Sequence, residues 1–493
     1  MDWENIMNSE DKILTYLNSN QQERDALLNS FLERYFYQNF RDGEKPAAYR
    51  AVELFIKGNC PNNCAYCYLK RHGKELYPIN EQSNEQILKN IKIFLDFYKK
   101  QHFRTEFSLF SSDLFKDGFI YDVLDVFYEE FKDKYNPYRP ISIMIPDHGN
   151  FLYSQEETDK LQAYIDKFFD INLRLIISLS IDGKFMDQNR GDASRTDEFY
   201  QRAIEFASKN FYAFHPMVSA INIDKWIDNY DWWHSNEVPA HLADRLMMLE
   251  VRDDNWTPKA LNDYLKFLNH VIDEEFAREN YDKALFAKRV VGSDKYPGKG
   301  YDNVLLIHTL NPVTECDFAS TGCSVAKNLC VRAGDLAIVP CHRTSYEQYV
   351  IGNYVVENNE IVNVKCKNWE IASAIYSWNR NSFPQCPDCA IRYWCVGPCF
   401  GSNFESTGDL FWTPISVCNL FKAKTNFQFM KYEAMGLMPY IKKELNDANA
   451  WEKIKKHMEK MKGQFDNCGE LLIDKISDTI RHQKNAGDVK LFS

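Results

Sequence analysis

From residue 51 onward the chain alternates short, β-rich apolar runs with longer stretches whose apolar positions recur every three to four residues. Short runs of β-branched and aromatic side chains suit strands, and apolar positions at i, i+3, i+4 and i+7 suit amphipathic helices. The pattern predicts six strands, at 51–57, 106–110, 141–145, 173–179, 214–220 and 246–251. Helices are predicted between them, over 84–99, 122–131, 155–169 and 197–208, with one more over 259–277. Strands separated by helices make a βα repeat and a largely parallel sheet. Six units are too few for a closed eight-stranded barrel, so an open partial (β/α)6 barrel or a doubly wound sheet is expected. In either, functional groups sit at the C-terminal ends of the strands.

The flanks read differently. The apolar spacing around 13–17 and 27–35 predicts a helical extension over 1–50, a cap on the next domain. A polar stretch with Gly and Lys at 292–300 marks the best domain boundary. Beyond it, residues 316 to about 425 combine short strands (336–339, 350–356), turn residues and many cysteines, a composition suited to a small domain held by metal. The remainder is helix-rich and charged. The expected organisation is a helical extension (1–50), a partial barrel (51–275), a linker (276–315), a cysteine-rich domain (316–425) and a C-terminal helical region (426–493). A length of 493 residues, at roughly 150 per domain, agrees with about three domains.

Charge narrows the partners. The chain has 59 Lys and Arg against 70 Asp and Glu, a net charge of −11, which disfavours binding by phosphate neutralisation and hence a nucleic-acid partner. No apolar run approaches the roughly 18 residues needed to span a bilayer. The opening Met-Asp-Trp-Glu lacks the basic and apolar regions of a signal peptide. The expectation is a cytoplasmic protein without membrane contact. In such a reducing compartment its 14 cysteines are metal ligands, catalytic groups or small core residues rather than disulfides. Core cysteines would scatter; these fall into groups.

Cys60, Cys64 and Cys67 form the first group, C-x3-C-x2-C, directly after the first predicted strand. Structural zinc usually takes four ligands as two separated pairs, whereas three thiolates in one loop suit an iron–sulfur cluster with one iron left open. Zinc with a distant fourth ligand and inert thiols are the alternatives. The loop resembles the signature of the radical S-adenosylmethionine (radical SAM) enzymes, with Tyr66 as the aromatic before the third cysteine. The resemblance implies a partial barrel and a [4Fe–4S] cluster that chelates SAM, whose reductive cleavage gives a 5′-deoxyadenosyl radical. The cofactor carries that chemistry, and the protein supplies binding, orientation and exclusion of water.

Other family positions compare unevenly. Where the second strand of relatives ends in a Gly-Gly-Glu motif for the SAM amino group, this chain has Ser111-Ser112-Asp113, leaving Asp113 as the acid. Ser180-Ile181-Asp182-Gly183, followed by Asp187 and Arg190, resembles the Ser-x-Asp-Gly…Asp-x-x-Arg stretch of members with extended C-terminal domains. By that likeness Ser180 contacts the ribose and Arg190 the SAM carboxylate; ordinary strand-end capping is the alternative. The sixth predicted strand closes on charges, and Glu250 or Asp253 is a possible base lining a substrate cavity, although Asp254 could simply cap a helix beginning near Thr257.

Cys386, Cys389, Cys395 and Cys399 spell C-x2-C-x5-C-x3-C, with Cys418 downstream and Cys316, Cys323, Cys330 and Cys341 upstream. This is more thiol than one zinc uses. The block resembles the SPASM domain of radical SAM peptide- and protein-modifying enzymes, which carries C-x9–15-G-x4-C ahead of it and one Cys after it. Taking Gly334 as the glycine leaves six residues, not four, before Cys341. By the resemblance, one auxiliary [4Fe–4S] cluster uses Cys323, Cys330, Cys341 and Cys399, and a second uses Cys386, Cys389, Cys395 and Cys418. Cys316 competes for a place, while Cys366 and Cys468 are spare thiols.

The function implied is a radical SAM/SPASM maturase. It would act on a ribosomally made precursor peptide to install a thioether or carbon–carbon crosslink, with electrons from a donor such as flavodoxin or ferredoxin. Within the family, oxidation of Ser or Cys to formylglycine in a sulfatase and dehydrogenation of a small sugar or alcohol are alternatives. From a different class, an inactivated barrel could serve a zinc-ribbon interaction role.

Overall fold

The computed structural model of the chain describes residues 20–35, 51–56, 62–67, 82–100, 106–110, 115, 117–133, 141–190, 195–252, 255–291, 310, 328–377, 383–389, 391, 395 and 399–444. Cys60, Asp113, Asp253, Cys316, Cys323 and Cys468 lie outside them. The strands are β1 (Val52–Phe55), β2 (Glu106–Phe110), β3 (Ile141–Asp147), β4 (Leu173–Leu179), β5 (Met217–Val218), β6 (Leu249–Glu250), β7 (Leu329–Arg332), β8 (Ala337–Val339), β9 (Gly352–Glu357) and β10 (Glu360–Cys366). The first helices are α1 (Gln21–Tyr35), α2 (Asn84–Lys100), α3 (Phe119–Phe131), α4 (Gln155–Asp170), α5 (Asp197–Asn210), α6 (Trp226–Trp233) and α7 (Ala240–Ala243). They are followed by α8 (Pro258–Arg278), α9 (Lys283–Val291), α10 (Trp369–Ser377), α11 (Phe400–Thr407), α12 (Ile415–Ala434) and α13 (Met438–Glu444). No described helix is long and apolar enough to cross a membrane.

The chain divides into two compact units, one of residues 1–61, 68–180 and 324–378, the other of 62–67, 181–323 and 379–493. The first is built on an eight-stranded sheet of order β10-β9-β8-β7-β1-β2-β3-β4. Strands β1 to β4 run parallel, with Val52 opposite Phe107, Phe107 opposite Ile143 and Ile143 opposite Leu175. That row is buried, and Tyr98 of α2 and Phe127 of α3 lie against Phe107 with ring centroids 4.7 and 5.1 Å away. Full burial of a side chain such as Phe107 contributes roughly 1.5–3 kcal/mol. Because side chains alternate along a strand, Glu53, Ser108, Met144 and Ile176 share the opposite face.

β7 joins the free side of β1 in parallel, placing Cys330 opposite Glu53. β8, β9 and β10 then continue as an antiparallel meander. The 276–315 boundary expected from the sequence therefore does not separate two sheets. Strands of the barrel region and of the cysteine-rich region make one, because β1 uses both its edges. The β9–β10 turn places Asn358 and Asn359 at φ 50° and 63°, the pair of left-handed residues that a tight hairpin demands. α1 covers this end of the sheet: the Gln21 amide donates to the Cys366 carbonyl at 2.7 Å, and Cys366 N donates to Asp25 at 2.6 Å. Leu28 comes so close to Gly352 that a Cβ there would stand 2.6 Å from it. The N-terminal helix thus caps β9 and β10 of the cysteine-rich region rather than the β1–β4 portion that follows it in sequence.

In the second unit β5 and β6 pair with each other in parallel, and flanking bonds from Met247 N to Phe214 O (3.0 Å) and Val251 N to Val218 O (2.8 Å) extend the ladder over the predicted runs. Trp226, Trp233, Tyr230, Tyr264 and Phe267 form its core. Helix starts follow capping chemistry: Thr196 accepts from Phe199 N at the start of α5, and Thr257 accepts from Ala260 N with Pro258 in the first turn of α8. Thr257 is the α8 cap, and Asp254, the cap read from the sequence, lies outside the described residues. Part of the expected linker is helical, since α9 buries Phe286 against Phe276 and Tyr432. The boundary expected at 425 falls inside α12.

Candidate functional site

Cys64 and Cys67 lie in a turn closed by Cys67 N donating to Cys64 O at 3.1 Å. The turn is fastened to the segment around Arg190: Ala65 N donates to Asn189 O at 2.7 Å, and the Cys64 thiol lies 3.3 Å from Arg190 O. Burial pushes the Cys64 thiol up, and the Arg190 charge offsets only part of that rise.

Asp182 organises these groups. It is fully buried; Tyr66 OH donates to its Oδ2, and Arg190 Nη2 (2.7 Å) and Met217 N (2.8 Å) donate to Oδ1. Burial alone would favour neutral Arg190, but the Asp182 carboxylate outweighs it and holds the guanidinium charged. Tyr66 is raised well above an ordinary phenol, by burial first and then by the same carboxylate. The Arg190 guanidinium carbon is 5.2 Å from the Tyr66 ring centroid, within cation–π range. Arg190 Nε is buried and has no hydrogen-bond partner among the described residues. A buried guanidinium edge without a partner costs free energy unless an anion meets it, so these residues fit a carboxylate ligand such as that of SAM. Ser180 lies one residue beyond β4, where its amide donates to Asp147 O at 2.7 Å.

Glu250, a candidate base, accepts from Tyr264 OH at 2.6 Å and is paired with Lys424 of α12. Burial would raise its pKa, but Lys424 and then Tyr264 bring it below the usual carboxylate value. The carboxylate is thus engaged by two buried donors.

Among the downstream cysteines, Cys386, Cys389 and Cys395 lie close enough to Cys418 to act on its thiol. Burial pushes the Cys418 thiol up to about 12, and the other three push in the same direction. Local turns set the spacing: Cys389 N bonds to Cys386 O at 3.1 Å, and Cys418 lies in the first turn of α12. Ionising these thiols together would set like charges side by side, so a cation is needed to hold them as thiolates, a role that the irons of an iron–sulfur cluster would fill. Among the described residues, no three His, Cys, Asp or Glu side chains are drawn together tightly enough for a single metal ion. Cys399 stands at the N-cap position of α11, whose Phe400 packs with the Phe383 and Phe411 rings.

Cys341 and Cys330 sit in the first unit. Cys341 N donates to Thr344 Oγ1 at 3.1 Å in a reciprocal cap. Cys330 is completely buried among Ala337, Val339 and Val350, and its thiol is pushed well above the ordinary value by burial and then by Glu53. Two features of this corner escaped the sequence reading. Glu53 accepts from Asn328 Nδ2 (2.8 Å) and contacts His342 Nδ1 (3.1 Å), while His342 stacks on Phe110 with centroids 4.0 Å apart. An acid inside an otherwise apolar Val-Glu-Leu-Phe strand was the available signal. In addition, the left-handed residue of the β7–β8 turn is Leu336, at φ 54°. Four residues separate Leu336 from Cys341 and twelve separate it from Cys323, the spacing that the C-x9–15-G-x4-C pattern gives its glycine.

Comparison of the sequence with protein-family models and with curated proteins finds no match. Among solved structures, the chain is similar to native anSMEcpe with bound AdoMet, with a TM-score of 0.51 and 15% identity over 80% of this chain and 100% of that one. It is also similar to native anSMEcpe with bound AdoMet and Cp18Cys peptide (TM-score 0.48, 15% identity, 80% and 99% covered). Streptococcus suis SuiB bound to the precursor peptide SuiA gives a TM-score of 0.44 and 14% identity, with 80% of this chain and 79% of that one covered. The chain has the α/β fold expected from the radical SAM/SPASM resemblance, with a parallel sheet of partial-barrel type and a cysteine-rich C-terminal region.

Proposed function

We propose that the chain is a radical SAM/SPASM enzyme that modifies a peptide made on the ribosome. The observation that carries this reading is the buried Tyr66–Asp182–Arg190 assembly, which holds a charged guanidinium, its Nε without a partner among the described residues, beside Cys64 of the three-cysteine loop. Cys60, Cys64 and Cys67 would hold the first cluster, Arg190 the SAM carboxylate and Tyr66 the adjoining face. The cluster, when bound, supplies the electron that cleaves SAM and so provides a hydrogen-abstracting radical. The chain's own residues bind and orient SAM and exclude water from a site whose anchoring side chains are buried. The four gathered cysteines 386, 389, 395 and 418 support an auxiliary cluster, and the SPASM-like spacing supports a peptide substrate and an electron-donor protein. Glu250 is assigned a structural role.

Anaerobic reconstitution with iron and sulfide tests the reading. About twelve irons per chain are expected for three [4Fe–4S] clusters, with SAM-dependent release of 5′-deoxyadenosine on reduction. A chain that takes up zinc without sulfide, or a fully loaded one that never cleaves SAM, overturns it.

A further inference from the structure

Asp182 spends its acceptor capacity on three different segments at once: Tyr66 of the cysteine loop, Arg190 and Met217 of β5. It has no freedom to turn away. Its own carbonyl accepts from Asn229 Nδ2 at 2.8 Å and Trp233 Nε1 at 3.0 Å, both on α6. The next residue, Gly183, has φ 125° and lets Asn229 approach to a point where a Cβ would stand 2.3 Å from its Oδ1. α6 therefore fixes the Asp182 backbone, and the carboxylate in turn fixes the guanidinium.

Asp182 takes Arg190 by Nη2, a nitrogen that also reaches His215 O at 3.2 Å, and leaves the buried Nε without a hydrogen-bond partner among the described residues. A guanidinium is planar and rigid, so pinning one nitrogen and setting the plane against a ring settles where the remaining N–H points. We propose that Asp182 is the positioning residue of the SAM site: it aims the open Nε edge of Arg190 at the SAM carboxylate while tying Tyr66, and with it the cysteine loop, to the same point. This rests on the proposed radical SAM reading and adds a residue that acts through Arg190 without touching the cofactor.

The test is a double-mutant cycle on the reconstituted full chain, with Asp182→Asn, Arg190→Met and the pair, read by SAM binding and by the change SAM causes in the electron paramagnetic resonance signal of the reduced cluster. Asp182→Asn is expected to weaken SAM binding by about tenfold or more at unchanged iron content, and the pair no more than Arg190→Met alone. Should Asp182→Asn fail to take up iron, Asn229→Ala loosens Asp182 from its carbonyl side and is expected to weaken SAM binding by about two- to fivefold. Additive losses in the cycle, or SAM binding as in the wild type in the variants that load iron, overturn the assignment. A wild-type chain that carries its clusters yet gives no spectral change with SAM overturns the radical SAM reading beneath it.

Discussion

Glu250 at the end of β6 and Lys424 in α12 form a buried ion pair, each side chain about 10% exposed. The pair joins the parallel strands of the second unit to the helix that carries Cys418 in its first turn, and Tyr264 completes the acid's hydrogen bonding. Breaking such a pair from one side leaves a buried charge uncompensated. Lys424→Met is therefore expected to destabilise the protein by about 3–5 kcal/mol, whereas Glu250→Leu with Lys424→Met together costs far less. Thermal unfolding followed by circular dichroism checks this; equal losses in the single and the double variant would show that the pair is not the cause.

The same pair gives a pH signature. The folded-state pKa of Glu250 is lowered, so its contribution to stability is present above the unfolded carboxylate value and is lost as pH falls through the folded one. Urea midpoints measured from pH 6 down to pH 3 should fall less steeply in Glu250→Gln than in the wild type.

His234 adds an earlier acid limb. Burial lowers its pKa to about 4, and its Nδ1 is bound to Tyr230 O at 2.9 Å. The unfolded state then takes up a proton that the folded state refuses between about pH 6.5 and 4. Stability should drop by roughly 3 kcal/mol across that window and level off below it. His234→Gln should remove most of this slope between pH 7 and 4.5 in denaturant titrations; an unchanged slope would refute the assignment.

Much of this architecture is legible in the linear pattern. The bounds predicted for β2 and β4 coincide with those observed, and β3 and the helices α2, α4 and α5 differ by one or two residues, because each buries a face whose periodicity is local. The cysteine blocks are legible for the same reason, since turns set their spacing. What stays hidden is what depends on partners far along the chain. Nothing near Val52 announces that Leu329 will lie beside it, and Asp182 reads as one letter of a motif until Tyr66, Met217 and Asn229 converge on it. Leu336 was hidden differently: a left-handed position is expected at glycine, and a glycine, Gly334, stands two residues away.

The Leu336 register separates the upstream cysteines. With Leu336 at the glycine place, the C-x9–15-G-x4-C spacing would run from Cys323 to Cys341 and pass over Cys330, which is buried in the apolar interior of β7. Cys330→Ala is expected to retain the full iron complement after reconstitution, while Cys341→Ala loses about four irons per chain. Loss of four irons from both variants would return Cys330 to the ligand set.

Gly183→Ala is a test of geometry. The new methyl would stand 2.3 Å from Asn229 Oδ1 and 2.8 Å from Trp233 Nε1, at a φ of 125° that side chains rarely adopt. A loss on the order of 2–3 kcal/mol is expected, measured by thermal unfolding. Gly118→Ala, where φ is 73° but nothing lies within 4 Å, should cost visibly less.

The pairing of Val52 with both Phe107 and Leu329 carries a consequence for how the protein is made. As the polypeptide leaves the ribosome, β1 to β4 can assemble early, yet β1 waits with one edge bare until the segment at Leu329 emerges. An unpaired edge of Val-Glu-Leu-Phe invites pairing with other chains, so the interval between those two moments is when the nascent protein is most exposed to aggregation. Truncation anywhere before β7 would make that interval permanent.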